Sequence, residues 1–133
     1  LVQVGIRAQC REEYERIQRD GIKTFFAAEI RQGAYGHSWK ERVLDACGEQ
    51  VYISFDIDGL DPSIMPSTGT PEPGGLFWDE TIQLLRMIGR HRTIIGFDVV
   101  ELAPVAAQPA PDFLAAKLVY KMLNTAFPLS SLP

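Results

Sequence analysis

The stretch Ser54–Gly75, SFDIDGLDPSIMPSTGTPEPGG, constrains this chain more than any other. Before it, Val51-Tyr52-Ile53 is apolar, β-branched and aromatic, the composition of a buried strand. That strand runs into Asp56 and Asp58, one residue apart. Strand side chains alternate between faces, so the two carboxylates are expected side by side where the strand ends. Like charges at that separation repel, and each loses water on burial, so positive charge must compensate them. A divalent cation does this directly, and hard carboxylate oxygens suit Mg, Ca or Mn. A Pro- and Gly-rich segment of about twenty residues follows, and irregular loops of that length in compact domains are usually functional. The plainer alternative is that strand-end aspartates are turn formers or caps. It fits Asp61-Pro62 and would fit any single Asp. Two acids on one face after a buried strand favour metal binding or catalysis.

The rest of the chain alternates between strand and helix signals. Leu1–Arg7 reads as a strand, with Gly5 allowing close backbone approach. Arg11–Asp20, rich in Glu and Arg with a thin Tyr14/Ile17 stripe, is a solvent-facing helix stopped at Gly21. Ile22–Ala28 is a second strand with Glu29 at its end, and Gly33–Gly36 is a loop. Ser38 and Glu41 form a capping-box pattern for a helix through Cys47, which Gly48 ends. Val51–Phe55 is the third strand. Phe77–Ile88 places Trp78, Ile82, Leu85 and Ile88 on one helical face, with Gly89 as its stop. Thr93–Val100 is the fourth strand, Ala103–Ala110 a Pro/Ala loop, and Pro111 opens a last helix to about Asn124. This alternation predicts an α/β fold with a parallel sheet and right-handed crossovers. Ligands in such sheets gather at the carboxyl ends of strands, where Asp56, Asp58 and Glu101 all fall. Four strands alone would leave a sheet edge uncovered, which another part of the domain or another chain should supply.

Composition removes several function classes. The chain has 133 residues, 46% hydrophobic, and a net charge of −4, enough apolar material for one core. There is no basic run for a nucleic acid. No apolar stretch reaches the roughly 18 residues of a membrane span, and no signal peptide is evident. Cys10 and Cys47, in predicted helices, lack metal-ligand spacing and read as reduced thiols, which suits a cytoplasmic setting. The chain opens with Leu1 and enters a strand at once, so it reads as a piece of a longer protein.

Ser54-Phe55-Asp56-Ile57-Asp58, then Pro62, Pro66-Ser67 and Gly75, resemble the last signature of the ureohydrolases, the arginase and agmatinase family. Val4-Gly5-Ile6-Arg7 and Gly96-Phe97-Asp98-Val99-Val100-Glu101 resemble the flanking family strands. The resemblance runs from about Val2 to about Leu123 and covers the C-terminal half of the family's domain. It implies a three-layer α/β/α arginase-like fold with a parallel sheet. Residues 1–127 would be half of that domain and 128–133 a loose tail.

The resemblance also implies a chemistry: hydrolysis of a guanidino compound to urea and an amine, as in polyamine metabolism. Two Mn2+ ions would share a hydroxide that attacks the guanidinium carbon. By resemblance Asp56 bridges both ions, Asp58 binds one, Glu101 pairs with the substrate guanidinium, and Thr70 walls the pocket. The planar fork of a guanidinium suits a carboxylate, which gives the Glu101 pairing its physical logic. Thr70–Gly75 looks more like agmatinases than arginases, pointing to agmatine. A homo-oligomer, trimer or hexamer, is also implied. The family uses two histidines and four aspartates as ligands, and only two of those aspartates are here, so the isolated chain is expected to be inactive.

Other readings compete. Glu101 could sit in an internal salt bridge, and Thr70 could be an ordinary turn residue. His37 and His91 match no family ligand position, and Trp39 and Trp78 suit core or interface anchors. A ureohydrolase-like scaffold or regulatory subunit is the non-enzymatic alternative. Phe55–Leu60 also resembles the haloacid-dehalogenase phosphatase opening, but that pattern wants Thr or Val where Leu60 stands.

Overall fold

Apolar runs too short for helices form four strands in this computed structural model, which describes residues 1–36 and 39–128. They are β1 (Val2–Ile6), β2 (Lys23–Phe26), β3 (Gln50–Asp56) and β4 (Thr93–Val100). Five helices are threaded between and after them: α1 (Arg11–Asp20), α2 (Ala27–Arg31), α3 (Trp39–Ala46), α4 (Trp78–His91) and α5 (Pro109–Ala126). All strand pairing is parallel, as the alternation predicts. It falls into two separate pairs, β1–β2 and β3–β4, rather than one four-stranded sheet.

Five local expectations are corrected. The second strand ends at Phe26, and Glu29 lies inside the short helix α2 rather than at a strand end. The third strand ends at Asp56, and Ile57–Gly59 is a 3-10 turn, so Asp58 is not part of the strand's alternation. Gly89 does not stop α4, which continues to His91. A Cβ at Gly89 would lie 2.4 Å from the Thr125 methyl, so this glycine is where α4 and α5 approach closely. The last helix begins at Pro109, two residues before Pro111, which keeps proline at positions that need no N–H. Cys10 precedes α1 and Cys47 follows α3, so both thiols flank helices rather than lie within them. Ser38 of the expected capping box lies outside the described residues.

The larger core joins Phe25, Trp39, Val43, Leu84, Ile88 and Ile94 to three residues of the β3–α4 connection, Ile57, Leu60 and Met65. A second cluster seats Ile82 and Leu85 of α4 with Leu118 and Met122 of α5, against Ile53, Phe55, Phe97 and Val99 of the β3–β4 sheet. The other face of that sheet is open. Tyr52, 57% exposed, and Ser54 there donate hydrogen bonds to Asp98 at 2.9 and 2.8 Å. Arg92 ties the packed face to α3 by donating to the carbonyls of Leu44 and Cys47 at its carboxyl end.

Candidate metal centre

The acids meet where β3 hands over to the 3-10 turn. Asp56 is the N-cap of that turn: its Oδ1 accepts the Asp58 backbone N–H at 3.1 Å. The two side chains are thus brought together by a cap and a tight turn, not by strand alternation. Thr70, returning from the long loop, donates its hydroxyl to Asp58 Oδ2 at 3.0 Å. Glu101, the residue after β4, is the one non-glycine described with a left-handed backbone, at φ 67°. Such a conformation costs of order 1–3 kcal/mol and is concentrated at functional sites.

Charge at this corner is unbalanced. Asp56 is pushed above the ordinary carboxylate range, first by burial. Its bond from the Asp58 N–H opposes the shift, while the Asp58 carboxylate and then Glu101 add to it. Three carboxylates therefore share one strand-end corner, and none of the described ion pairs involves them. A hard divalent cation fits this donor set of oxygens. The fit is partial: among the described residues no group of three or more His, Cys, Asp or Glu side chains is placed to hold a metal.

The loop that presents Thr70 is closed at its base. Asp61 N–H donates to Leu76 O at 2.9 Å and Leu76 N–H to Gly59 O at 3.0 Å. The Asp61 carboxylate accepts from Ser63 N–H, the Ser63 hydroxyl and Gly74 N–H, a structural role in keeping with its turn reading. Two arginines whose role the sequence did not reveal hold the loop from outside. Arg7 donates to Glu72 O at 3.1 Å and to the carbonyls of Asp58 and Gly59, and Arg31 donates to Gly75 O at 2.6 Å. The available signal for Arg7 was its place at the carboxyl end of the first predicted strand, the side where ligands gather.

The remaining candidates lie elsewhere. His91 closes α4 on a groove of about 380 Å3 that Lys40, Arg86 and Arg90 also line. His37 lies outside the described residues. Trp39 is a buried member of the larger core, and Trp78 packs partly buried against the second cluster.

Known proteins resemble this chain in sequence and fold. The profile of the arginase family matches residues 1–124. An N(1)-aminopropylagmatine ureohydrolase of Thermus thermophilus is 42% identical over 124 residues, 93% of this chain and 41% of that protein. A Synechocystis protein of the same description is 39% identical over 122 residues, 91% of this chain and 39% of its own length. The crystal structure of the agmatine ureohydrolase of Thermoplasma volcanium superposes with a TM-score of 0.79 at 31% identity, over 95% of this chain and 42% of that one. The chain belongs to the arginase family, and its fold is the α/β fold of those structures. It spans about two fifths of the length of these relatives.

Proposed function

We propose that this chain is the metal- and guanidinium-holding C-terminal part of an enzyme that hydrolyses a guanidino amine to urea and an amine. The observation that carries the reading is the corner itself, where Asp56 with its raised pKa, Asp58 with its Thr70 hydroxyl, and strained Glu101 converge at the ends of β3 and β4. Family membership and the descriptions of the similar ureohydrolases support it. Residues 1–127 would form one half of a single domain, with 128–133 a tail.

Asp56 and Asp58 would hold Mn2+ through carboxylate oxygens, with Thr70 keeping the Asp58 carboxylate turned toward the site. Manganese, when bound, supplies the charge that neutralises the carboxylates and makes hydroxide available near neutral pH. Glu101 accepts two N–H groups of the guanidinium and fixes the plane of the carbon to be attacked. Thr70 walls the pocket beside it. The substrate class follows the similar proteins: agmatine, or agmatine extended by an aminopropyl group, ahead of arginine. Two carboxylates alone give too few ligands for tight Mn2+ binding, so residues 1–133 in isolation release no urea.

The test is urea release by the full-length protein with Mn2+ on agmatine, N(1)-aminopropylagmatine and arginine, beside Asp58→Asn and Glu101→Gln. Asp58→Asn is expected to lower Mn2+ affinity at least tenfold, and Glu101→Gln to raise KM for the guanidine at unchanged metal content. Full activity in both variants would remove the assignment of the site.

A further inference from the structure

Arg7 stands one residue beyond β1, and its guanidinium reaches three separate segments. It donates to its own strand at Gly5 O (3.0 Å), to the acidic turn at Gly59 O (3.3 Å) and Asp58 O, and to the loop at Glu72 O (3.1 Å). All four acceptors are backbone carbonyls. A guanidinium has five N–H donors in a rigid fork, so one side chain can hold several carbonyls at fixed angles, which an ammonium cannot do.

The choice of acceptors matters. A cation this close to Asp58 could have paired with its carboxylate and occupied the oxygens that a metal needs. Instead Arg7 takes the Asp58 carbonyl, and Oδ2 of the same residue is left to Thr70. Through Glu72 O the same fork also fixes the loop two residues past Thr70. The positions of a metal-ligating carboxylate and of its hydroxyl partner are therefore set by one side chain that touches neither.

We infer that Arg7 is a positioning residue for the metal centre: it locks the backbone of Asp58 and the Thr70 turn in register. This rests on the assignment of Asp58 as a metal ligand. Arg31 provides the internal comparison. It clamps the same loop at Gly74 O (3.3 Å) and Gly75 O (2.6 Å), but has no bond to the acidic turn.

The experiment measures Mn2+ affinity by calorimetry, and thermal unfolding of the metal-free protein, for full-length Arg7→Ala, Arg7→Lys, Arg31→Ala and Asp58→Asn. Arg7→Ala should lower Mn2+ affinity by about 10–100-fold, the usual effect of losing a group that orients a ligand. Arg7→Lys, able to reach only part of the carbonyl set, should fall between Arg7→Ala and wild type. Arg31→Ala should destabilise the metal-free fold to a similar extent yet keep Mn2+ affinity within about threefold of wild type. Equal losses of affinity in Arg7→Ala and Arg31→Ala would reduce Arg7 to a general loop clamp and overturn the inference. Unchanged affinity in Arg7→Lys, if Arg7→Ala does not fold, overturns it as well. Unchanged affinity in Arg7→Ala while Asp58→Asn loses Mn2+ overturns it alone, whereas unchanged affinity in Asp58→Asn removes the metal assignment and the inference with it.

Discussion

Two loops leave the same end of the β3–β4 sheet, and they are built in opposite ways. The connection from β3 to α4 is the longer one, yet it carries its own core: Ile57, Leu60 and Met65 are no more than 1% exposed. The connection from β4 to α5 is less than half as long, and every residue from Glu101 to Gln108 is exposed. Its ties to the rest are a bridge from Leu102 to Thr68 and the Ala103 N–H donated to Ser67 O at 2.9 Å. Both anchor points are on the first loop. The lesson is that length without regular structure is not looseness: the irregular loop is the rigid platform, and the short one leans on it. Each contributes to the proposed site in its own way. The first loop brings Asp58 and Thr70 through packing and carbonyl clamps, while the second brings Glu101 through a strained backbone.

The comparison is broken most strongly at the plug of the first loop. Met65 is fully buried, and Met65→Ala leaves a cavity that such a loop cannot collapse around, costing about 2–5 kcal/mol. Chemical denaturation of the full-length protein checks this, and a cost near zero would mean that the loop is not held by its core. Next comes the base of the same loop. A Cβ at Gly75 would sit 2.5–2.6 Å from backbone atoms of Leu60 and Asp61, so Gly75→Ala must force the two strands of the base apart. Overpacking of this kind costs about 1–3 kcal/mol. Because the base sits directly after Asp58, Mn2+ affinity of the folded variant should fall with stability.

How much of this was legible in the sequence follows the same division. Periodicity and turn residues were enough for the four strands and the alternating helices, because those signals are local. The acidic corner was legible too, but its geometry was not. Val51–Phe55 reads as a strand whose alternation carries Asp56 and Asp58 onto one face at its end, and only the Asp58 N–H donated to the Asp56 carboxylate shows that the chain turns there. Gly89 reads as a stop in the sequence because a helix stop and a close helix contact call for the same small residue, and only the position of Thr125 separates them. Glu29 reads as a strand-end residue for a related reason, since Thr24-Phe25-Phe26 looks like strand and nothing local marks Ala27 as the start of α2. The carbonyl clamps of Arg7 and Arg31 span 65 and 44 residues of sequence, beyond what any local pattern encodes. The two-piece sheet likewise depends on how distant segments pack.

The smallest expected effect is the most discriminating, because it has the opposite sign. Glu101 holds φ at 67°, a region where a side chain is strained and glycine is not. Its charge also adds to the pressure on Asp56. Glu101→Gly should therefore stabilise the metal-free protein, by about 1 kcal/mol once the added freedom of the unfolded glycine is subtracted. Glu101→Gln keeps the strained backbone and removes only the charge, so it should gain less. Both variants should lose guanidine binding, seen as a raised KM, because neither offers a carboxylate to the guanidinium fork. Such a pattern would mean that the second loop holds Glu101 in place against its own backbone preference, and that its backbone ties to Ser67 and Thr68 supply the restraint. If Glu101→Gly were instead destabilising, the short loop would have to be held by something beyond its two ties to the first, and the contrast between platform and dependent loop would fail.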